Sequence, residues 1–189
     1  MIQIIADTVK KLILNHYREA FLFGAVLCGI YRWTEKKSIV RRNWKKYMAI
    51  FLFGIYVYFL FSLTILSRSG TYTSELNLIP FLSFQKSEWD RMYFYTNVIL
   101  FFPMPVFLYV LFPVFRSFRK SIMLGFLVSA GVEITQFLFH CGWCDIDDVL
   151  SNTFGVALGW LCIWHYSCRF PGNEEKHAEE VSFSSDDKK

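Results

Sequence analysis

Long apolar runs separated by short polar stretches dominate the chain, and they predict membrane-spanning helices. A helical span needs roughly 20 apolar residues to cross the hydrocarbon layer. Four runs reach this length, at residues 47–66, 93–115, 121–140 and 147–166. Because their apolar residues are continuous rather than spaced with a period of 2 or 3.6, these helices are expected to face lipid. The predicted fold is therefore all-α, a polytopic membrane protein.

The N-terminal part of the chain has a less regular pattern. Residues 20–33 predict a fifth, shorter span, with 12 uninterrupted residues between Glu19 and Arg32. This segment crosses the membrane if the polar residues at 15–19 face protein or headgroups, and otherwise it is a partly inserted helix. Residues 1–19 lack the apolar core and the small-residue cleavage site of a signal peptide. Their mixture of apolar and charged residues is typical of an amphipathic interfacial helix.

The basic residues predict which loops lie inside the cell. The stretch 32–46 holds seven Lys or Arg and one acid, and the stretch 116–120 holds three basic residues. Cytoplasmic loops carry an excess of Lys and Arg, so both stretches are expected inside. Residues 67–92 balance three basic against three acidic residues, and residues 141–146 contain neither Lys nor Arg. Both of these are expected on the extracytoplasmic side.

Composition supports the membrane class. Apolar residues make up 54% of the 189 residues and include 21 phenylalanines, more than a soluble domain of this size can bury. We divide the chain into an N-terminal helix region with its basic loop (1–46), a membrane domain (47–166) and a disordered, charged, cytoplasmic tail (167–189). Because the basic residues flank membrane spans, membrane lipids are expected partners and nucleic acid is not.

An acidic cluster, Asp-Ile-Asp-Asp at residues 145–148, lies between two of the apolar runs. A charged residue costs about 2.5–3.5 kcal/mol at the centre of a membrane helix, so charges near hydrocarbon usually have a role. The neighbouring runs each carry a polar stripe with helical spacing, and such spacing places each set on one helix face. The stripes are Ser129, Glu133, Gln136 and His140 on one helix, and Asp148, Asn152, Gly155 and Gly159 on the next.

The two stripes are expected to face each other in the outer half of the membrane. The connection between their helices is short, which makes the helices antiparallel neighbours. Asn97, near the outer start of the run 93–115, is placed to join them.

Most of these residues also have a purely structural explanation. Asp145 followed by Asp148 suits the start of a helix, as an N-cap and an acid in the first turn. Gly155 and Gly159 form a small-xxx-small pair that suits helix packing. Asn152 and Gln136 suit interhelical hydrogen bonds. Glu133 is harder to explain in this way, because a carboxyl in an apolar helix needs a partner or a proton.

The outer loops contribute further candidates. Cys141 and Cys144 have CxxC spacing, but without the flanking strand and soluble helix of a redox site; a local disulfide is the alternative. We assign no metal and no other cofactor. Arg68 is a candidate counter-ion for the acids, or else a snorkelling anchor. The apolar segment 75–81, with its Asn and Pro, predicts a re-entrant or interfacial loop. Three prolines, at 103, 105 and 113, are expected to kink or break the helix over 93–115.

Four motifs in this order resemble the VanZ-like family. They are Asn77-Leu78-Ile79-Pro80-Phe81, Asn97 with Leu100-Phe101-Phe102-Pro103, Glu133 with Gln136, and Asp145-Ile146-Asp147-Asp148 with Asn152, Gly155 and Gly159. The resemblance covers roughly residues 50–166. It implies an α-helical bacterial membrane protein linked to tolerance of teicoplanin and related lipoglycopeptides. Pattern and resemblance together nominate as ligand-binding candidates Arg68, Asn77, Pro80, Asn97, Glu133, Gln136, Asp145, Asp147, Asp148 and Asn152.

Two positions depart from the family pattern. Family members often carry an arginine just before the Asn-Leu-Ile-Pro-Phe segment, where this chain has Ser74-Glu75. They often carry a basic residue shortly before Asp-Ile-Asp-Asp, where residues 141–144 are Cys-Gly-Trp-Cys. An outer site with fewer positive charges is expected to favour a different ligand.

Three functional hypotheses fit these features. The first is an outward-facing pocket that recognises a lipoglycopeptide antibiotic or a cell-wall precursor; its negative field favours cationic, sugar or amide groups. The second is a membrane enzyme acting on a lipid or cell-wall precursor, with Glu133 as general acid or base. The third is a small transporter that uses Glu133 in a proton relay.

Overall fold

The computed structural model describes residues 2–35, 44–66, 76–82, 88–140, 142 and 144–169. Within these ranges the chain is almost entirely helical. The helices are α1 (Ile2–Glu35), α2 (Trp44–Thr64), α3 (Glu88–Phe101), α4 (Met104–Leu111), α5 (Phe118–Leu138) and α6 (Ile146–Arg169), with a 3₁₀ turn at Pro113–Arg116. Two short strands, β1 (Leu76–Asn77) and β2 (Cys144–Asp145), complete the described elements. Arg68, Cys141 and the tail beyond Arg169 lie outside the described residues.

Four helical segments are long and apolar enough to cross a membrane, as the sequence predicts. They are Trp44–Thr64, Asp90–Leu111, Phe118–Leu138 and Ile146–Arg169. Less than half of each is buried against other parts of the protein, which leaves much apolar surface for lipid. The chain is thus an all-α polytopic membrane protein.

The second of these segments is broken where the prolines predict. α3 ends at Phe101 and α4 begins at Met104, because Pro103 has no N–H to continue the α3 ladder. The carbonyl of Pro103 accepts the N–H groups of Val106 and Phe107, so the proline starts α4 as it ends α3. Pro113 then ends α4 in a 3₁₀ turn. The start differs from the sequence expectation, since α3 begins at Glu88 and not near residue 93.

The N-terminal region forms one continuous helix, where the sequence suggests an interfacial helix followed by a separate span. α1 runs antiparallel along α2, and their backbones meet at Gly24 and Gly54. The Cys28 thiol donates a hydrogen bond to the carbonyl of Tyr47 at 3.3 Å, and His16 Nδ1 lies 3.3 Å from the Tyr58 hydroxyl. α1 is not among the four segments above, so the crossing of residues 20–33 stays a prediction.

α6 is the central helix of the bundle, and glycines let it approach its neighbours closely. A Cβ on Gly155 would collide with the Val98 carbonyl, and one on Gly159 with the Phe102 carbonyl. These contacts confirm the packing role of the small-xxx-small pair. On another face of α6, Val156 packs against Gly125 of α5 and is fully buried. Four further residues complete this buried apolar cluster: Leu60, Phe101, Met104 and Leu108.

A short parallel β-pair joins the loop after α2 to the start of α6, and no sequence pattern anticipates it. Leu76 pairs with Cys144 and Asn77 with Asp145. The pair brings residues 76–82 against the acidic cluster. The re-entrant character of the wider loop, most of which lies outside the described residues, stays a prediction.

Gly159→Ala should destabilise the protein. The added methyl meets a backbone carbonyl that cannot move without shifting α3, and such overpacking costs about 1–3 kcal/mol. Thermal unfolding of the purified protein in detergent should show a clearly lower midpoint. Gly131→Ala on α5 is the matched control, because nothing lies within 4 Å of the added methyl. An equal effect of the two substitutions would contradict the close α3–α6 approach.

Candidate functional site

The polar stripes of α5 and α6 face each other, as predicted. The Asn152 amide Nδ2 donates to the Ser129 hydroxyl at 2.8 Å, and both side chains are buried. One turn further along, Gly125 and Val156 are in contact. The amide oxygen of Asn152, only 2% of whose surface is exposed, has no hydrogen-bond partner among the described residues. A buried amide with an unused acceptor therefore lies between the two helices.

Glu133 holds the start of α6 against α5. Its side chain is 2% exposed, and its Oε2 accepts the backbone N–H of Asp145 at 3.1 Å. The carboxyl thus receives a hydrogen bond from the loop that connects the two helices. This contact supplies a partner for Glu133 that the sequence alone does not show.

Gln136 contacts a different helix. Its Nε2 donates to the carbonyl of Thr64 at 2.8 Å, and the side chain is buried. Thr64 is the last residue of α2, and carbonyls at a helix end lack partners within their own helix. Gln136 therefore caps α2 from α5. Its role as an interhelical hydrogen-bond partner, one of the two sequence interpretations, is confirmed.

Asp145 caps α6 and fastens the β-pair. Its Oδ1 accepts the N–H of Asp147 at 2.9 Å, the N-cap geometry expected from the sequence. Its Oδ2 accepts the side-chain amide of Asn77 at 2.9 Å. The Asn77 oxygen in turn accepts the N–H of Ile79, a local turn that leads into Pro80.

Asp147 binds the same loop two residues beyond its turn. The side chain is buried, and its Oδ1 accepts the N–H of Phe81 at 2.5 Å. Phe81 has a φ of 62°, a left-handed conformation that is uncommon for a bulky residue. The carboxylate helps to hold the loop in this conformation. Phe81 was not a candidate from the sequence, because a phenylalanine gives no signal for positive φ.

Asp148 connects α6 to α3. Its Oδ1 accepts the Asn97 amide at 2.7 Å, so the predicted approach of Asn97 to the stripes is confirmed. Asn97 is buried, whereas Asp148 is only half-buried. Among the acids, Asp145 and Asp148 therefore form the accessible edge, and Glu133 and Asp147 lie beneath it.

The two segments that adjoin this polar edge, the loop at 76–82 and the end of α5, carry exposed apolar side chains. We call them the apolar rim: Leu76, Leu78, Ile79 and Phe81 from the loop, and Leu138 and Phe139 from the end of α5. Exposed apolar surface beside a polar site suits contact with lipid or with an amphiphilic ligand. His140, also exposed, lies two residues beyond the end of α5 and has a φ of 52°, the left-handed conformation common after a helix.

The chemistry of the loop does not favour a reactive thiol. Burial raises the pKa of the Cys144 thiol, and the nearby carboxylates of Glu133 and Asp145 raise it further. A thiol with a raised pKa is mostly protonated near neutral pH and is a poor nucleophile.

Cys144 is a free thiol, and its potential partner Cys141 lies outside the described residues. Within the described ranges, no three His, Cys, Asp or Glu side chains are placed to hold a metal ion.

Glu133→Gln should lower the pKa of Cys144. The substitution removes a negative charge that disfavours the thiolate, while the glutamine oxygen still accepts the Asp145 N–H. The rate of iodoacetamide alkylation against pH, in a variant whose other four cysteines are serine, should shift to lower pH. Glu88→Gln, an exposed acid on α3, should leave the profile in place. An unchanged profile for Glu133→Gln would mean that Glu133 carries no charge in the folded protein.

Comparison with known proteins agrees with the order of these motifs. A family model described as VanZ/LLP1 matches residues 18–167. Protein VanZ of Enterococcus faecium is 34% identical over 114 residues, which cover 59% of this chain and 68% of that protein. No solved structure matches the chain. The family match covers the polar cluster, three membrane segments and all but the last two residues of the fourth, and the chain belongs to the VanZ/LLP1 family.

Proposed function

We propose that this chain acts at the outer face of a bacterial membrane and supports tolerance of teicoplanin-type lipoglycopeptides by binding an amphiphilic envelope ligand. The ligand is the antibiotic itself or a cell-wall precursor. Family membership supports the general role. The observation that carries the binding proposal is the buried amide of Asn152, with its unused acceptor, beneath the half-buried carboxylate of Asp148.

The polar groups suit a ligand rich in amides, hydroxyls or cations. The Asn152 oxygen and the Asp148 carboxylate are acceptors, so they favour N–H and O–H donors. A hydrogen bond to a buried, unused acceptor is favourable, because the cost of removing that acceptor from water has already been met in folding.

The apolar rim suits the other half of such a ligand. Four loop residues and two residues at the end of α5 expose large apolar side chains next to the polar edge. An acyl chain or aromatic group could lie on this surface while sugars or amides reach the polar groups. Lipoglycopeptides and lipid-linked precursors both combine these two parts.

The enzyme hypothesis has less support. The Glu133 carboxyl already accepts a hydrogen bond from the backbone of Asp145, so it holds the loop before α6 in place, whereas the equally buried Asn152 oxygen has no such partner among the described residues. A general acid or base must come within hydrogen-bond reach of a substrate proton. We therefore place ligand contact on the half-buried Asp148 and on the Asn152 oxygen, which has no partner among the described residues, and regard the remaining polar residues as the ones that position them: Asn97, Glu133, Gln136, Asp145 and Asp147.

Asp148→Asn should abolish tolerance without unfolding the protein. Asparagine can still accept the Asn97 hydrogen bond, so the substitution removes the charge and largely keeps the geometry. Survival in teicoplanin should fall to the level of cells that lack the protein, at unchanged membrane levels. Glu88→Gln, which removes one exposed acid outside the cluster, is the control and should survive normally. If cells with Asp148→Asn survive as well as the wild type, Asp148 is not part of the site. If these cells instead turn over labelled wall-lipid precursors at an altered rate, the enzyme hypothesis is favoured.

A double substitution at Ser129 and Asn152 tests whether this buried, hydrogen-bonded pair serves ligand binding or only helix packing. In the double variant Ser129→Ala with Asn152→Leu, both hydrogen-bonding partners become apolar groups of similar size, a change that is often neutral or stabilising. We expect an unfolding midpoint at or above that of the wild type, together with lost tolerance. If tolerance persists in the stable double variant, the pair serves packing alone.

The orientation can be tested at the two ends of α5. In a cysteine-free background, Phe139→Cys should react with an impermeant maleimide in intact cells, because the acidic cluster is predicted to lie outside. Ser117→Cys, at the other end, should react only after the cells are permeabilised. Both residues are exposed. If instead Ser117→Cys reacts in intact cells and Phe139→Cys reacts only after permeabilisation, the polar cluster lies on the cytoplasmic side and the C-terminal end of α6 lies outside.

A further inference from the structure

A groove of about 600 Å³ lies between α1 and α2, at the end of α2 that begins with Trp44 and away from the polar cluster. Its walls are mainly apolar, formed by Cys28 and Gly29 of α1 and by Tyr47, Met48 and Phe51 of α2. This volume falls in the range of sites for small ligands. From Trp44 to Phe51 the groove follows α2 for about 10 Å, at a rise of 1.5 Å per residue.

The groove is cationic at its Trp44 end, where Arg32 lines it and Lys46 lies on the neighbouring turn of α2. Among the described residues, Arg32 has no hydrogen-bond or ion-pair partner. The Nζ of Lys46 lies 4.8 Å from the centre of the Tyr31 ring, which in turn packs edge-on against Tyr47 of the groove. One end of the groove is therefore positive and the remainder is apolar.

Two tryptophans indicate that the cationic end of the groove lies at the level of the lipid headgroups and the apolar part lies deeper in the membrane. Trp33 and Trp44 are 75% and 66% exposed, one near the end of α1 and the other at the start of α2. Tryptophan is enriched at the level of the lipid headgroups, so these residues indicate where the interface lies. Arg32 then lies at headgroup level, and Met48 and Phe51 lie at the depth of the acyl chains.

We propose that this groove binds one anionic phospholipid, with its phosphate at Arg32 and Lys46 and an acyl chain along Gly29, Met48 and Phe51. Charge complementarity favours an anionic headgroup over a zwitterionic one, and basic pockets between membrane helices are known to take such headgroups. Gly29 leaves room for the chain, because nothing lies within 4 Å of the position where its side chain would begin. The bound lipid would fill the space between α1 and α2 beyond their glycine crossing. This proposal does not depend on the function of the polar cluster.

The test uses the full chain purified in a neutral detergent, with dioleoylphosphatidylglycerol as the probe. Thermal unfolding should shift upward with added lipid and saturate, and dioleoylphosphatidylcholine should give little shift. Arg32→Gln should raise the half-saturating concentration about fivefold, the effect of one basic residue near anionic lipid. Gly29→Phe should abolish the shift by filling the groove, whereas Gly29→Ala and Arg32→Lys should retain it.

Three outcomes would overturn the proposal. An equal shift in the wild type, Arg32→Gln and Gly29→Phe would mean that the lipid acts elsewhere. A full shift with glycerol phosphate, which lacks acyl chains, would show that the groove is not used. If light scattering shows that the wild-type protein is a dimer and that Gly29→Phe is a monomer, a second copy of the chain covers the groove instead of a lipid. Arg119→Gln, a basic residue at the start of α5, controls for general loss of charge and should bind like the wild type.

Discussion

In a bundle surrounded by lipid, a backbone polar group without a partner is costly, and the acidic start of α6 supplies hydrogen-bond acceptors to more than one segment at once. Asp145 receives the side chain of Asn77, Asp147 receives the backbone of Phe81, and Asp148 receives the side chain of Asn97. The backbone of Asp145 itself is bound by Glu133 of α5. The three aspartates therefore accept hydrogen bonds from two separate parts of the chain, the loop at 76–82 and α3, and Glu133 ties their own backbone to α5.

This arrangement depends on how closely α6 approaches α3. The Asn97–Asp148 hydrogen bond is possible because the next residue of α3, Val98, presses its carbonyl against Gly155. A side chain at that position would push the helices apart, and the distance between the amide and the carboxylate would grow with it. The glycines of α6 therefore set the separation between α6 and α3, and the Asn97–Asp148 hydrogen bond depends on that separation.

The sequence predicts the helices well, because apolar length and proline position have direct physical consequences. Four spans, the break at Pro103, the facing polar stripes and the N-cap at Asp145 all follow from local pattern. Apart from the approach of Asn97 to the stripes, contacts between distant segments do not follow from it. The β-pair has only two residues on each side, too few for any alternation to show, and Gln136 caps a helix whose end lies 72 residues earlier. The continuity of α1 does not follow from the pattern, because its charged residues indicate a change of environment at Glu19, although no helix-breaking residue stands there.

The structure also divides the acidic cluster into two kinds of residue that the sequence presents as equivalent. Asp145 and Asp147 bind the loop that carries Leu78, Ile79 and Phe81, so they determine where part of the apolar rim lies. Asp148 lies at the accessible edge of that cluster, beside the buried amide of Asn152. A site for an amphiphile needs both an apolar surface and polar groups at a fixed distance from it. Asp145 and Asp147, which hold the loop part of the rim, and Asp148, at the accessible edge, belong to one short segment, and this segment therefore fixes the position of both the apolar surface and the accessible carboxylate.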